Sequence, residues 1–223
     1  MRRRPLGKTG LEVSELALGT WGLSGDAYGP VAEIDQDAVI DRALAVGITL
    51  FETGDCYGKG AMEKRLGQRL PAKAVIVTKV GTDLAATPPH KRFDASYIKD
   101  SVERSRERLK REAIDVVLLH NPSLAYLERN DALHALRELA ERGVIKTFGV
   151  SAASKEAARA ALARDAPVLE LAYNAFYSSE LKAIASEVKS KGVGILARSI
   201  LAYGLLCGMW PANKEFPQGD HRA

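Results

Sequence analysis

The sequence predicts a parallel β/α barrel of the eight-stranded type, preceded by an N-terminal β-hairpin. Short apolar runs alternate with amphipathic stretches along the chain, and such alternation is typical of parallel strands joined by right-handed crossovers. Each apolar run is nearly continuous, as expected for a strand buried on both faces. These runs are more numerous than the strands of a small doubly wound sheet, and they account for most of the strands of an eight-stranded barrel.

The predicted strands are β-branched or apolar segments that end at a polar residue or a turn. They occupy residues 15–21, 48–53, 74–80, 114–120, 145–151, 168–174 and 193–199. Before them, RRPLGKTGLEVS places GKTG between two short extended segments, which predicts the hairpin.

The stretches between the strands have helical periodicity and helix-terminal signals. The predicted helices cover residues 35–47, 61–70, 94–110, 131–143, 154–166 and 179–192. Serine or aspartate opens several of them, as N-caps do, and Gly47 is placed to end the first. In the third, Ile98, Val102 and Leu109 form an apolar stripe opposite a charged face.

One domain is predicted for residues 1–223, because no linker or low-complexity segment interrupts the pattern. The tail MWPANKEFPQGDHRA is polar and carries two prolines, so it does not resemble a strand. The eighth strand and final helices are therefore expected to be absent, unless the reading frame continues beyond Ala223. Unpaired edges would then favour self-association through the open side of the barrel and weaken cofactor binding.

Composition excludes several classes of function. The chain is 46% hydrophobic and 27% charged, with a net charge of +4 spread over mixed surfaces, and no basic patch interleaved with aromatics indicates nucleic acid binding. Cys56 and Cys207 form no disulfide framework and no zinc spacing, so no metal site is predicted. Neither a signal peptide nor a membrane-spanning run is visible, and a cytoplasmic protein without membrane partners is expected.

Polar residues stand at the carboxyl ends of the predicted strands, where a β/α barrel carries its active site. Tyr57 follows in the loop after the second strand, and the strand-end residues are Glu52, Lys79, His120, Ser151, Glu170, Arg198 and Ser199. Considered singly, Lys79 can be explained as a strand-end lysine whose ammonium reaches solvent, and His120 as a hydrogen-bonded core histidine. Their occurrence at the same end of successive strands favours a site.

The set has coherent chemistry. A tyrosine is a poor acid at neutral pH, and a buried ammonium beside it is expected to lower its pKa. Glu52 would keep Lys79 charged, and an N–H of His120 would polarise a substrate oxygen. These residues predict a proton-donating site aimed at a carbonyl. A lyase that uses Lys79 as a Schiff base is an alternative.

The motifs around these residues resemble those of the aldo-keto reductase family. The family pattern F-D-T-A-x-x-Y-G stands here as FETGDCYG, and VTKVG and DVVLLHNP match its lysine and histidine motifs. The resemblance runs from RPLGKTGLEVSELALGTWG to FPQGDHR. It implies a TIM barrel that transfers hydride from NADPH, or NADH, to a small-molecule aldehyde or ketone. Tyr57 would be the acid, Lys79 would tune its pKa, and His120 would orient the carbonyl.

The same resemblance implies a set of cofactor contacts along the barrel rim. These are Gly19, Thr20, Trp21, Ser151, Glu170, Arg198, Ser199, Leu201 and Gly204. Consistent with a cofactor held without a Rossmann fingerprint, no G-x-G-x-x-G opens a helix after a strand. Trp21 has two interpretations, a core residue or a wall of the substrate pocket.

Four positions depart from the family pattern. Glu52 replaces an aspartate, Ala152 an asparagine, Glu170 a glutamine, and Arg198 stands where many members have an aromatic ring. An ionised glutamate accepts hydrogen bonds and cannot donate one, whereas a guanidinium can still stack. These changes leave open a second hypothesis, a catalytically impaired homologue that acts only through a partner subunit.

Overall fold

The protein is described here by a computed structural model that covers residues 1–223. An antiparallel hairpin of β1 (Arg3–Pro5) and β2 (Glu12–Ser14) opens the chain, as predicted. Leu6 and Val13 of this hairpin are buried and belong to the apolar cluster inside the barrel. The hairpin therefore covers the end of the barrel opposite the carboxyl ends of the strands.

Seven parallel strands form one curved sheet, a nearly closed barrel that lacks its last strand. The barrel strands are β3 (Ala17–Gly19), β4 (Leu50–Glu52), β5 (Val75–Val80), β8 (Ile114–His120), β9 (Ile145–Ser151), β10 (Val168–Ala172) and β11 (Gly194–Arg198). Two further strands, β6 (Thr82–Asp83) and β7 (His90–Lys91), form a short antiparallel pair outside the barrel. The sheet order is β3-β4-β5-β8-β9-β10-β11, so β3 and β11 are the two edges.

Helices connect these strands on the outside of the barrel. They are α1 (Glu33–Ala45), α2 (Ala61–Arg69), α3 (Ala95–Leu109), α4 (Leu124–Arg129), α5 (Asp131–Glu141), α6 (Lys155–Leu162) and α7 (Ser179–Lys191). Two of the predicted caps are present, since Asp94 accepts from the Tyr97 amide and Ser154 from the Ala157 amide. Helices α1, α5 and α7 begin without a side-chain capping bond, contrary to the prediction. The apolar stripe of α3 is fully buried.

Two apolar clusters hold the fold together. The smaller fills the barrel, and the larger lies between the strands and the surrounding helices. In β4, β5, β8 and β10, neighbouring apolar residues belong to different clusters, which explains why these strands read as continuous apolar runs.

The structure corrects several predicted boundaries. The first two barrel strands have only three residues each, and Trp21 lies in a 3₁₀ turn, Trp21–Leu23, after β3. Helix α4 and the β6–β7 pair were not predicted. After β11 the chain forms the turn Ala202–Cys207 and then returns, so that the His221 amide donates to the Ala27 carbonyl. No helix combines the length and the apolar character that crossing a bilayer requires.

Candidate active site

Lys79 is the centre of a polar cluster at the carboxyl ends of the barrel strands. It comes from β5, and its side chain is 2% exposed. Its ammonium contacts the Glu52 carboxylate at the end of β4 and donates to the Thr53 carbonyl at 3.0 Å. The predicted pairing of Lys79 with Glu52 is therefore present. Burial lowers the pKa of Lys79 to about 8, and the nearby Glu170 carboxylate acts in the opposite direction.

Glu170 brings a second carboxylate into the same cluster. Its side chain is 2% exposed, and Oε2 lies 3.7 Å from the Lys79 ammonium while Oε1 lies 4.0 Å from Nε of Arg198. Arg198 also donates weakly to the Ala152 carbonyl at 3.4 Å. Two carboxylates, the buried Glu170 and the partly exposed Glu52, thus lie near one ammonium and one guanidinium, and each charge has an opposite neighbour.

Tyr57 reaches the cluster from the loop after β4. The loop is tied to the barrel where the Thr53 amide donates to Val77 and the Asp55 amide donates to Lys79. A single turn follows, and Gly58 takes a left-handed conformation with φ of 57°. The turn buries Tyr57 and places its ring 5.0 Å from the Lys79 ammonium. The predicted convergence of the two residues is observed.

The predicted effect of Lys79 on the acidity of Tyr57 is not observed. Burial, followed by the charge of Glu170, raises the pKa of Tyr57 well above its ordinary range, and Arg198 is the cation that opposes this effect. How far the phenol is desolvated cannot be read from residue types and spacing. Tyr57 is consequently held in its protonated form, which is the form that can donate a proton.

His120 stands at the end of β8, with its ring centroid 6.0 Å from that of Tyr57 in an edge-to-face arrangement. Burial, followed by the charge of Lys79, lowers the pKa of His120 well below its ordinary value. The ring is therefore neutral at pH 7, with one N–H donor. Its Nδ1 lies 3.6 Å from the Cys56 thiol, a contact that the sequence analysis did not predict.

The strand ends beyond His120 carry the other predicted contacts. Ser151 is buried at the end of β9, where its hydroxyl lies 3.4 Å from Oδ1 of Asn121. Asn121 was missed, although it directly follows His120 in the HNP motif. On the opposite side, Gly19 pairs with Glu52 in the sheet, and the Thr20 amide donates to the Glu52 carbonyl.

Several buried polar side-chain atoms at this rim have no hydrogen-bond partner. Three of them are Oγ1 of Thr20, Oε2 of Glu170 and Nε of Arg198. Buried polar atoms are almost always paired in native proteins. Together with the Ser151 hydroxyl they give acceptors and donors on several strands that a polar ligand could satisfy.

The remaining predicted cofactor residues follow β11. Ser199 has a positive φ of 55°, and its carbonyl accepts from the Asn174 amide group. Leu201 is exposed, and Gly204, with φ of 99°, lies so close to the Trp210 ring that a Cβ would clash. Ser199 adjoins Arg198 and lines the same cavity as Glu52 and Glu170, whereas Leu201 and Gly204 do not line that cavity.

Trp21 belongs to neither apolar cluster, which decides against the core interpretation. Its ring meets those of Tyr28, Tyr203 and His221 at centroid distances of 5.1–6.3 Å. His221 comes from the tail, for which the sequence suggested no role. Beside the cluster, a cavity of about 350 Å³ reaches from the hairpin to Glu52 and Glu170 between the two edge strands.

Comparison with known proteins agrees with this arrangement. The family model described as the aldo/keto reductase family matches residues 15–222. The chain is 31% identical over 221 residues to L-galactose dehydrogenase from Arabidopsis thaliana, covering 93% of this chain and 68% of that protein. It is 28% identical over 230 residues to the aldo-keto reductase YhdN from Bacillus subtilis (strain 168), covering 100% and 69%.

A solved structure shows the same fold. The glycerol dehydrogenase AKR11B4 from Gluconobacter oxydans superposes with a TM-score of 0.83 at 28% identity, covering 99% of this chain and 70% of that one. The sequence match, the shared barrel and the cluster at its carboxyl end lead to one assignment. This chain belongs to the aldo/keto reductase family of oxidoreductases.

Proposed function

We propose that the protein reduces an aldehyde or ketone to an alcohol with NADPH or NADH, and that Tyr57 is the general acid. The observation that carries this proposal is the convergence of Tyr57, Lys79, Glu52 and His120 at the carboxyl end of the barrel. Proton donation to a carbonyl oxygen requires such a buried acid with a stabilising cation beside it.

Each residue has a defined task in this proposal. The Tyr57 phenol donates its proton to the carbonyl oxygen, and the neutral His120 ring donates a hydrogen bond that orients the same oxygen. The Lys79 ammonium lies 5.0 Å from the Tyr57 ring, and its task is to attract the negative charge that forms on the phenol oxygen during proton transfer, against the larger opposing effects of burial and Glu170. Glu52 and the Thr53 carbonyl hold the ammonium in place.

The polar atoms at the rim fit a nicotinamide carboxamide. The Ser151 hydroxyl and the Arg198 guanidinium can donate to its carbonyl, and the unpaired Oε2 of Glu170 can accept from its amide. Glu170 therefore fits as an acceptor although it replaces the family glutamine. When bound, the cofactor supplies the hydride. NADPH is the cofactor to test first, since the family resemblance implies it.

NADPH titration followed by cofactor fluorescence tests the proposal, combined with NADPH consumption on a panel of aldehydes and ketones. Because two relatives are named L-galactose dehydrogenase and glycerol dehydrogenase, the panel includes sugar- and polyol-derived carbonyls. Tyr57→Phe should lower turnover about 10²–10⁴-fold while NADPH still binds. Tyr126→Phe, away from the cluster, is the matched control. Absence of both saturable binding and turnover at millimolar NADPH would refute the proposal.

A second candidate is a catalytically impaired homologue that acts through a partner subunit. This candidate requires the partner to cover the open edge of the barrel. Two observations favour a partner: β3 and β11 are unpaired edges, and Ile200, Leu201 and Met209 are exposed near β11. Light scattering discriminates the two candidates. A monomer that binds NADPH and turns over a carbonyl excludes the second.

A further inference from the structure

Three side chains that could each bind a metal ion, a carboxylate, a thiol and an imidazole, lie close together at the end of β8. They are Asp55, Cys56 and His120, and their potential ligand atoms all lie within 4.8 Å of one another. The Cys56 sulfur and Nδ1 of His120 are 3.6 Å apart. In a tetrahedral zinc site with Zn–S of about 2.3 Å and Zn–N of about 2.05 Å, these two atoms would be separated by about 3.6 Å. The pair already has the spacing of two ligands.

Asp55 gives an independent indication of a ligand. Its exposed fraction is 7%, yet its Oδ1 has no hydrogen-bond partner. An orphaned carboxylate oxygen at this depth is unusual, because burial of an unpaired acceptor is costly. A cation shared with the sulfur and the imidazole would satisfy it.

We propose that Asp55, Cys56 and His120 bind a divalent cation of the zinc type. Thiolate, imidazole and carboxylate are the ligands that zinc takes in proteins, and three protein ligands leave a fourth position for water. Four cations act on this corner, namely Lys79, Lys91, Arg108 and Arg198. The carboxylate and thiolate neutralise the ion, so these cations do not face an added net charge. The site shares His120 with the proposed carbonyl-reducing site, but its test measures metal binding and not turnover, so the two proposals can fail separately.

Ligation would affect His120 directly. When Nδ1 binds the ion, the ring proton must be on Nε2, so the ion would fix one tautomer of the residue that faces Tyr57. Sequence spacing could not reveal such a site, because the ligands come from the loop after β4 and from the distant end of β8.

Titration of the chelator-treated full chain with Co²⁺, used as a spectroscopic probe for zinc, tests the proposal. We expect one saturable site with a thiolate-to-cobalt charge-transfer band and intense visible bands of tetrahedral cobalt, both removed by excess Zn²⁺. Cys56→Ser should abolish the charge-transfer band, and Asp55→Asn should weaken Co²⁺ binding about tenfold or more.

The chain provides matched controls. Cys207 is the other free cysteine and is exposed, so Cys207→Ser should retain the charge-transfer band. His134, exposed on α5, should be replaceable by glutamine without change in Co²⁺ affinity. Circular dichroism establishes whether each variant is folded. If Cys56→Ser does not fold, Asp55→Asn still tests the site. A band that is absent at saturating Co²⁺, survives in Cys56→Ser, or disappears in Cys207→Ser would overturn the proposal.

Discussion

The Glu170 carboxylate lies 3.7 Å from the Lys79 ammonium, although β10 and β5 are separated in the barrel by two other strands. The contact therefore crosses the barrel interior. Glu170 also raises the pKa of Tyr57, after the larger effect of burial, and its second oxygen approaches Arg198. One buried carboxylate thus influences the proposed acid, the cation beside it and the proposed cofactor contact.

Glu170→Gln is predicted to move the alkaline limb of the kcat/KM profile for carbonyl reduction to lower pH. Glutamine keeps the shape and removes the negative charge that contributes to the raised pKa of Tyr57. Glu170 also raises the pKa of Lys79, so both groups lose their protons at a lower pH in the variant, and Lys79, with a pKa of about 8, does so first and no longer supports Tyr57 as an acid. Glu187→Gln on the surface of α7 is the control and should leave the profile unchanged. An alkaline limb that stays in place or moves to higher pH would contradict the assigned role.

Glu52 is predicted to act through its charge rather than its length. Glu52→Gln keeps the length but leaves Lys79 with less compensation, and we expect kcat/KM to fall about tenfold or more. Glu52→Asp keeps the charge and should lose less. Steady-state kinetics of both variants at one pH decide the question. An aspartate variant that is slower than the glutamine variant would show that reach, and not charge, limits the site.

The sequence predicted strand ends best where a strand is long and buried on both faces. The run ending at His120 and the run ending at Ser151 have the predicted bounds, because nearly every residue of these two strands is buried. The first two barrel strands were predicted too long, since only three residues of each pair with their neighbours. Helix α4 was missed because six residues are too short for a clear periodicity.

For the site, the predicted parallel order of the strands was the most informative feature of the sequence. Parallel strands bring Glu52, Lys79 and His120 to one end of the barrel whatever the loops do, and this convergence was predicted. The direction of the Tyr57 pKa shift was not, because it depends on the depth of burial and on Glu170, which comes from the far side. The contact of Cys56 with His120 likewise depends on the path of one loop.

A buried ion pair behind the site connects the barrel to two helices. Glu63 on α2 is fully buried, and it accepts from Nε of Arg108 on α3 at 2.6 Å and from the Thr78 hydroxyl on β5 at 2.5 Å. Arg108 is partly exposed, so its side chain shields the carboxylate from solvent. The stability of the pair depends on both members being present.

Arg108→Met is therefore predicted to destabilise the protein by about 3–5 kcal/mol, because it leaves the buried Glu63 carboxylate without its counter-ion. Adding Glu63→Gln should recover part of that loss, since a neutral amide is less costly to bury. Urea unfolding of the single and double variants measures both effects. Arg106→Met on the same helix breaks the surface pair with Glu103 and a hydrogen bond to the Glu112 carbonyl, and it should cost much less, because solvent screens these exposed contacts. If Arg108→Met costs no more than Arg106→Met, the buried pair does not contribute to stability as the structure indicates.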